Sequence, residues 1–450
     1  MTSTWFRIGA SVLLAAGWGA AAALWTPRGP LTNAQALWSI VISAAVGLAA
    51  GRVTRSRWAI ITTPLAYAAA LELTRLPITG PSVDAPHLSA FGLVALLSGR
   101  GVHGLLSLLP MAIGAAYGAG PRRRIPIALA TAALLAVTVA VAVPARTAAI
   151  PGGVAELTSV SGLGVLIRGA DTTRPVLLFV PGTPGGSETG AMRRHLAALE
   201  QDFVVATLDR RGGGASYPEL DPAGRVTVDS TVADILTVTD YLRTRFHQDR
   251  IHLLAFSGGS IPGALAAHRA PQKYRAYVGT GQAVDLRASD QLFYTDILAW
   301  AKSSGRDDVV TRLSEQGPPP YADFWGYEPF LLHESEAYDQ KPPAFEIGVP
   351  EYTLLHKAHT LTAIMDTWSV LYPRMQDTDL RRDVPRLVVP AYFIQGGNEM
   401  RGLSVLFDEW YAALAAPAKR LEVLPGAGHR AMFEEPDRFA ATLRTLLAQV

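Results

Sequence analysis

The chain has 450 residues, of which 40 are Lys or Arg, 38 are Asp or Glu and none is Cys. Its charged fraction of 17% is below the roughly 25% of an ordinary soluble domain, and the deficit lies in the first third. Residues 1–150 carry a net charge of +9, with Glu72 and Asp84 as their only acids, whereas the remaining residues carry −7. This imbalance excludes both a single soluble globule and a disordered chain. Without Cys, disulfides, thiolate metal sites and a Cys nucleophile are excluded as well.

Apolar runs indicate that the first third spans a membrane. They lie at about residues 8–25, 36–51, 58–74, 88–118 and 125–143. Each is about long enough to cross ~30 Å of hydrocarbon, except that the fourth is too long and is interrupted by Arg100 and His103. We expect its crossing part at 101–119 and an interfacial or re-entrant piece at 88–99. Glu72 and Arg100 are expected to be solvated near the membrane interfaces, and residues 1–145 are interpreted as a transmembrane anchor of about five spans.

The distribution of Arg predicts the orientation of these spans. Two connections carry Arg clusters, which comprise Arg52, Arg55, Arg57, Arg122, Arg123 and Arg124. Because positive connections stay in the cytoplasm, five crossings place everything after about residue 145 on the extracytoplasmic side of the cell membrane. Alternatively, residues 1–22 are a cleaved signal peptide, which leaves the C-terminal part on the same side. Positive charge between apolar runs favours the lipid bilayer, and not nucleic acid, as a partner.

The remainder of the chain alternates strand and helix patterns after a linker at 146–155. Expected buried strands lie at 176–180, 203–208, 251–256, 277–280 and 388–394, and expected helices lie at 192–200, 231–246 and 259–269. Asp229 or Ser230 is the expected N-cap of the second helix. The alternation predicts a mostly parallel, doubly wound α/β domain formed by residues 156–284 and 387–450. Residues 285–386 are interpreted as a helical lid inserted between its strands.

A candidate nucleophile lies at the turn after the third of these strands. The sequence Ala255-Phe256-Ser257-Gly258-Gly259 joins a strand to a helix, and its small flanking residues suit a sharp turn that exposes the serine hydroxyl. Ser257 could instead simply cap the helix. Ser260 is the nearest rival nucleophile, but Pro262 fits the requirement for small flanking residues poorly.

A serine hydroxyl needs a base, and the base needs an orienting acid. His429 is the candidate base because it follows a small-residue loop after an expected strand at 420–424. Glu399 is the candidate acid because it lies in a Gly turn just past a strand end. Asp285, after the strand at 277–280, is the alternative acid.

The oxyanion that forms in such a reaction needs two N–H donors. The Gly258 N–H is one candidate, and the Gly- and Pro-rich loop after the first strand supplies the other, from Thr183 or, second, from Gly182. Asp209 and Arg210 follow the next strand, and we expect them to anchor this region rather than to touch substrate. No His, Asp or Glu cluster has metal-ligand spacing, so no metal or cofactor is expected.

Taken in order, these motifs resemble the α/β-hydrolase superfamily and its proline iminopeptidase-like branch. The matching segments are PGTPGG at 181–186, DRRGGGAS at 209–216, AFSGG at 255–259, GGNE at 396–399, GH at 428–429 and FEEP at 433–436. The sequence departs from the branch at Pro181, where the branch has His, at Thr183, where it has Gly, and at Glu399, where it has Asp. The aminopeptidases of the branch bind the substrate's free amine through a cluster of acids in the lid. The lid of this sequence departs from them because it has no clear cluster of this kind, and Glu334, Glu336 and Glu351 are candidates by composition only.

The resemblance implies a serine hydrolase that cleaves a small ester or a short peptide through an acyl-enzyme, and the apolar runs predict that it is anchored in the membrane. In this scheme Ser257 attacks, His429 transfers the proton and Glu399 orients His429. A prolyl aminopeptidase-like peptidase and an esterase both remain open. The alternatives are a catalytically silent hydrolase domain that acts as a sensor or scaffold, and an accessory domain of a transporter.

Overall fold

The computed structural model describes residues 2–78, 84–120, 124–341 and 346–449, within which the chain forms two compact units. One unit comprises Met1–Ala145 with Tyr352–Thr362, and the other comprises Arg146–Glu351 with Ala363–Val450. Arg122 and Arg123, on which the expected orientation partly rests, lie outside the described residues.

The first unit is built from long apolar helices. In chain order they are α1 (Thr2–Trp25), α2 (Asn33–Thr54), α3 (Ala59–Arg75), α4 (Ala90–Leu96), α5 (Val102–Ala119) and α6 (Arg124–Ala142). Among the described residues, the helical stretches long and apolar enough to cross a membrane are Trp5–Trp25, Asn33–Thr54, Ala90–Ala119 and Ile125–Ala142. Because α3 has 17 residues, it is shorter than these four. The number and direction of the crossings stay predictions.

The expected re-entrant piece at 88–99 differs from the structure. Leu97–Gly101 forms a π-helical turn that joins α4 to α5 in one continuous helix. Arg100 on this turn is paired, because its Nη1 lies 2.9 Å from Glu72 Oε2 and its Nε lies 3.4 Å from Asp84 Oδ1. Arg75 Nη2 also lies 3.0 Å from Asp84. Glu72 and Arg100 are therefore members of an ion-pair network, and the expectation that they are merely solvated was wrong.

Helices α2 and α5 pack with their backbones in close contact. A Cβ on Gly47 would collide with the carbonyl of Met111, and a Cβ on Gly114 would collide with the carbonyl of Ala44. Gly51 and Gly118, one turn further along, are restricted in the same way. This is the small-residue packing typical of helices in lipid, where close van der Waals contact replaces the hydrophobic effect.

The second unit contains the sheet. Its strands among the described residues are β1 (Val154–Val160), β2 (Leu163–Gly169), β3 (Val176–Val180), β4 (Val204–Leu208), β5 (Ile251–Phe256), β6 (Tyr274–Thr280), β7 (Ala391–Gly396) and β8 (Lys419–Leu424). Their order is β1-β2-β4-β3-β5-β6-β7-β8. The hairpin β1–β2 and the β2–β4 pair are antiparallel, and the other pairs are parallel. The predicted mostly parallel α/β fold is confirmed, with an added antiparallel edge.

Helices flank the sheet and fill the predicted insertion. In chain order the remaining helices are α7 (Thr189–His195), α8 (Val228–Arg245), α9 (Ser260–Arg269), α10 (Leu286–Ser303), α11 (Asp307–Gln316), α12 (Phe324–Ala337), α13 (Leu354–Ala358), α14 (Thr360–Met375), α15 (Leu380–Asp383), α16 (Arg401–Ala413), α17 (Ala431–Glu434) and α18 (Pro436–Leu447). The expected N-cap of α8 was wrong. Thr227 caps that helix and forms a reciprocal capping box with Ser230. Helices α10 to α15 lie between β6 and β7, in the segment that was interpreted from the sequence as a lid.

One segment of that lid region belongs to the first unit. Leu355 of α13 is buried in an apolar cluster with Ile40, Leu106 and other residues of the long helices. The Nε2 of His359 lies 3.1 Å from the carbonyl of Pro30, and Thr362 Oγ1 lies 2.5 Å from Ser98 Oγ. Tyr352–Thr362 is therefore part of the core of the helical unit.

Candidate active site

Ser257 lies on a sharp turn between β5 and α9. Its φ of +50° is in the left-handed region, which costs a non-glycine residue free energy and is common where a strained turn serves a functional site. The turn requires small neighbours. A Cβ on Gly182 would lie 2.7 Å from the Cβ of Ser257, and a Cβ on Gly259 would collide with the carbonyl of Pro181. The hydroxyl of Ser257 is therefore presented by a turn with little room for other side chains.

Ser260, the rival nucleophile, has a structural role. Its side chain is fully buried, and its hydroxyl donates to the carbonyl of Ser257 at 2.5 Å. The same oxygen accepts hydrogen bonds from Gln282 Nε2 and from the backbone N–H of Ala283, each at 2.9 Å. Because its hydrogen-bonding capacity is used in this way, Ser260 does not compete with Ser257.

Three side chains from distant parts of the chain meet at the carboxyl edge of the sheet. Ser257 Oγ lies 2.9 Å from Nε2 of His429, and Nδ1 of His429 lies 3.0 Å and 3.1 Å from the two carboxylate oxygens of Glu399. One oxygen of Glu399 also accepts the backbone N–H of Met400 at 2.8 Å. With its ring proton on Nδ1, His429 donates to Glu399 and presents Nε2 as an acceptor to the serine hydroxyl. Such an arrangement is suited to nucleophilic attack assisted by a general base.

The surroundings of His429 favour its protonated form. Burial alone lowers the pKa of an imidazole, but the charge and hydrogen bond of Glu399, together with the charge of Glu334, raise the pKa of His429 above its ordinary value. The ring packs against Phe256, with ring centroids 5.2 Å apart. A Cβ on Gly281, whose φ is +51°, would lie 2.9 Å from Cε1 of His429. Packing and charge therefore fix the ring and increase its basicity.

The candidate oxyanion donors lie beside this turn. Gly258 directly follows Ser257, and a Cβ on Gly258 would be 3.3 Å from the carbonyl oxygen of Gly182. The loop that contains Thr183 closes on itself, because the N–H of Gly186 donates to the carbonyl of Thr183 at 2.9 Å. The loop predicted to supply the second donor is therefore adjacent to the turn of Ser257.

Arg210 holds that loop through hydrogen bonds to its backbone carbonyl groups. Its Nη1 donates to the carbonyl oxygens of Gly182, at 2.8 Å, and Pro181, at 3.3 Å. Burial lowers the pKa of this guanidinium to about 10, which leaves it charged at neutral pH. Asp209 is buried as well and accepts the backbone N–H of Ala215 at 2.9 Å. Both contacts agree with an anchoring function for the pair.

The alternative acid and two of the candidate lid acids are held elsewhere. Asp285 caps α10 through the N–H of Ala288 and lies 2.8 Å from Arg381. Glu336 is exposed and lies 3.6 Å from Arg306, and Glu351 is buried 3.1 Å from Arg193. The third lid acid, Glu334, interacts electrostatically with His429 and Glu399.

Two features of the site were missed in the sequence analysis. The side chain of Gln340 reaches from the lid to the backbone of His429, and the buried Glu188 lies 3.3 Å from Arg430, next to His429. The Gln340 contact joins residues 89 positions apart, and no motif marks it. Arg430 directly follows His429 in the sequence, but its pairing with Glu188, more than 200 positions away, could not be predicted from the sequence.

Comparison with known proteins identifies the family. The profile of the alpha/beta hydrolase family matches residues 177–442, which is more than half of the chain. The chain belongs to this family. The "Probable aminopeptidase YbaC" of Bacillus subtilis is 26% identical over 290 residues, which cover 62% of the chain and 91% of that relative.

Solved structures of similar fold include two proteins of the proline iminopeptidase type. The hydrolase resembles the proline iminopeptidase of Mycobacterium smegmatis with a TM-score of 0.48 and 17% identity, over 66% of the chain and 98% of that structure. It resembles a proline iminopeptidase-related protein of Thermus thermophilus with a TM-score of 0.45 and 21% identity, over 66% and 97% of the two chains. The profile match over residues 177–442 confirms the predicted alpha/beta hydrolase family, whereas the residue roles stay predictions.

Proposed function

We propose that the protein is a membrane-anchored serine hydrolase in which Ser257, His429 and Glu399 act as a catalytic triad. The observation that carries this proposal is the line of hydrogen bonds from Ser257 Oγ through the imidazole of His429 to the carboxylate of Glu399. The strained turn after β5 holds the half-buried Ser257 in the backbone conformation that a nucleophile elbow requires. The catalytically silent scaffold is less favoured because it has no need of this alignment.

In the proposed reaction, Ser257 Oγ attacks the carbonyl carbon of an ester or amide while Nε2 of His429 accepts the hydroxyl proton. The resulting oxyanion accepts hydrogen bonds from the N–H of Gly258 and from the N–H of Thr183 or Gly182. His429 then protonates the leaving alcohol or amine, and the acyl-enzyme forms. Water, activated by His429, attacks the acyl-enzyme, and Ser257 regains its proton as the acid product leaves.

Arg210 contributes to the oxyanion site in this scheme without touching the substrate. Its charge is buried, and its hydrogen bond to the carbonyl of Gly182 polarises the peptide whose N–H belongs to Thr183. Polarisation by a buried positive charge strengthens an N–H donor on the opposite side of the same peptide. Arg210 is therefore proposed to hold the donor loop and to increase its donor strength.

The lid favours a substrate with a free amine over a simple ester. Glu334 is the one candidate lid acid close enough to affect His429 and Glu399, and burial raises its pKa to about 7. A second buried acid of the lid, Asp290, accepts a hydrogen bond from Tyr372 at 2.6 Å, and burial raises its pKa to about 7 as well. An ammonium group stabilises the ionised form of such carboxyls. We therefore propose an aminopeptidase-like activity, in which Glu334 binds the substrate amine.

Aromatic rings next to these acids suit an apolar residue at the amino end of the substrate. Trp368 and Tyr372 of α14 stack with centroids 4.2 Å apart, and Tyr327 of α12 lies 5.0 Å from Tyr372. Rigid aromatic walls bury a compact apolar group at a low cost in side-chain entropy. The combination of a carboxylate and apolar rings fits the amino-terminal residue of a short peptide.

The amine proposal predicts a selective loss of activity in Glu334→Gln. We expect kcat/KM for an amino-acid arylamide with a free amine to fall by about 10- to 100-fold, because a charged hydrogen bond is replaced by a neutral one. Hydrolysis of a p-nitrophenyl acyl ester, which has no amine, should fall much less. The exposed Glu336→Gln variant on the same helix is the control. Equal losses for the two substrates would contradict a role of Glu334 in amine binding.

The helical unit is proposed to anchor the hydrolase with its catalytic domain on the extracytoplasmic side. The four apolar stretches support anchoring in the membrane. The extracytoplasmic orientation also requires the 17-residue α3 to be the fifth crossing, with the Arg-rich second connection in the cytoplasm. Intact spheroplasts that express the full-length chain test this together with the nucleophile, if they are treated with a membrane-impermeant fluorophosphonate probe. We expect the wild type and Ser260→Ala to be labelled, and Ser257→Ala to be unlabelled at an equal protein amount.

Three results of this labelling would contradict the proposal, one of them its orientation and two of them its nucleophile. Labelling that appears only after lysis would reverse the orientation but retain the nucleophile. Equal labelling of wild type and Ser257→Ala, or no labelling of either in lysed membranes, would remove Ser257 as the nucleophile.

A further inference from the structure

The side-chain amide of Gln340 connects the two loops that carry Glu399 and His429. Its Oε1 accepts the backbone N–H of His429 at 2.9 Å, and its Nε2 donates to the carbonyl of Asn398, the residue before Glu399. Both polar atoms of one side chain are therefore used on the two loops. The loops are also joined further from the ring by the N–H of Asn398, which donates to the carbonyl of Ala427 at 2.9 Å.

A glycine makes room for this bridge. A Cβ on Gly428 would collide with the Oε1, Cδ and Nε2 atoms of Gln340, and these are the nearest atoms that it would meet. Any side chain at position 428 would therefore displace the amide from its position beside His429. The bridge accordingly depends on two residues that are 88 positions apart in the chain.

Gln340 itself is held by the lid. Its backbone N–H donates to the carbonyl of Ser335 in α12 at 2.7 Å. Nearby, Tyr338 donates to Asp296 of α10 at 2.6 Å, and Asp296 in turn pairs with Arg401, just after the loop of Glu399. The position of the amide is therefore set by helices of the lid and not by the strands that carry the two loops.

We propose that Gln340 is a positioning residue through which the lid holds Glu399 and His429 in the relative position that their hydrogen bond requires. This inference rests on the proposed function and extends it. The hydrogen bond between Glu399 and His429 requires both loops to keep their relative position, and displacements of about 1 Å at such sites cost up to about 100-fold in rate. A shift of α12 breaks both contacts of Gln340 at once. The alignment of the proposed triad therefore depends on the position of the lid.

The variant Gln340→Ala tests this role by its pH profile. We expect kcat to fall by about 10- to 100-fold on an acyl ester, with little change in KM. Because Glu399 raises the pKa of His429, a looser pair should also move the acid limb of the kcat/KM profile to lower pH. Gln340→Glu keeps an acceptor for the N–H of His429 but loses the donor to Asn398, so an intermediate loss is expected. The exposed Glu336→Gln variant should behave as the wild type.

A double-mutant cycle with Gly428→Ala separates positioning from general stability. Gly428→Ala alone should reproduce the loss and the pH shift of Gln340→Ala, because the added methyl group displaces the amide. In the Gln340→Ala background the space is vacant, so Gly428→Ala should cause little further loss. The unfolding temperatures of the four proteins show whether a loss of activity is caused only by a lower stability of the fold.

Several outcomes would overturn the inference while the proposed function stands. One is a wild-type pH profile in Gln340→Ala. Another is that the losses of activity in Gln340→Ala and Gly428→Ala multiply in the double variant. Either result counts if Ser257 still reacts with the fluorophosphonate. If the wild type itself does not react, the proposed function fails and the inference fails with it.

Discussion

Replacement of Ser257 with alanine is expected to lower kcat/KM for an acyl ester by about 10⁶-fold, because the acyl-enzyme can no longer form. His429→Ala should cause a loss of similar size, since the hydroxyl lies 2.9 Å from Nε2 of His429 and has no other base within hydrogen-bond reach among the described contacts. The two residues act as one unit, so the double variant should be no worse than either single variant. Steady-state kinetics of the three detergent-solubilised proteins provide the measurement.

The control for this experiment is Ser260→Ala, which removes the neighbouring buried hydroxyl but leaves the proposed nucleophile. It should retain activity in proportion to the fraction of folded protein. A Ser257→Ala protein with more than about one hundredth of the wild-type activity, or losses that multiply in the double variant, would contradict the proposed mechanism.

Replacement of Glu399 with glutamine is expected to lower kcat/KM by about 10⁴-fold. The substitution keeps the size of the side chain but removes the charge that lies 3.0 Å from Nδ1 of His429. An amide also permits the wrong imidazole tautomer, in which Nε2 carries the proton and no longer accepts from Ser257. Both effects weaken the base.

The pH profile of Glu399→Gln is expected to shift in one direction. His429 must be neutral to act as a base, so activity falls as pH drops through its pKa. Because Glu399 raises that pKa, its removal should move the acid limb of kcat/KM to lower pH. The matched control is Asp285→Asn, which alters the cap of α10 but should leave the limb unchanged. If the acid limb of Glu399→Gln stays at the wild-type pH or moves to higher pH, the assignment of Glu399 as the orienting acid is contradicted.

The central strands could be predicted from the sequence because a strand that is buried on both faces has a nearly continuous run of apolar residues. Strands β3, β4 and β5 are buried throughout and, apart from His252 in β5, consist of apolar or small residues. Strand β1 was missed for the opposite reason. It contains Glu156, Thr158 and Ser159, and its position at the edge of the sheet leaves these side chains partly accessible. A polar edge strand resembles a loop in the sequence.

Features that depend on distant partners were not predictable in the same way. The helix through 88–118 looked interrupted because Arg100 was visible in the sequence, whereas its pairing with Glu72 and Asp84 was not. The choice between Glu399 and Asp285 was open because both follow strand ends. In the structure Glu399 reaches His429, and Asp285 instead meets Arg381, 96 positions away. Gln340 has no motif at all, since its importance lies only in the two backbone groups that it joins.

The placement of Tyr352–Thr362 has a practical consequence for handling the enzyme. Truncation of the chain before Arg146 removes the long helices but keeps Leu355, which is only 2% exposed in the full-length protein. The truncated product would present this apolar segment to water, and a newly exposed apolar patch promotes aggregation. Biochemical work is therefore best done on the intact protein in detergent or nanodiscs, since a fragment cut at the end of the last long helix lacks part of its own packing.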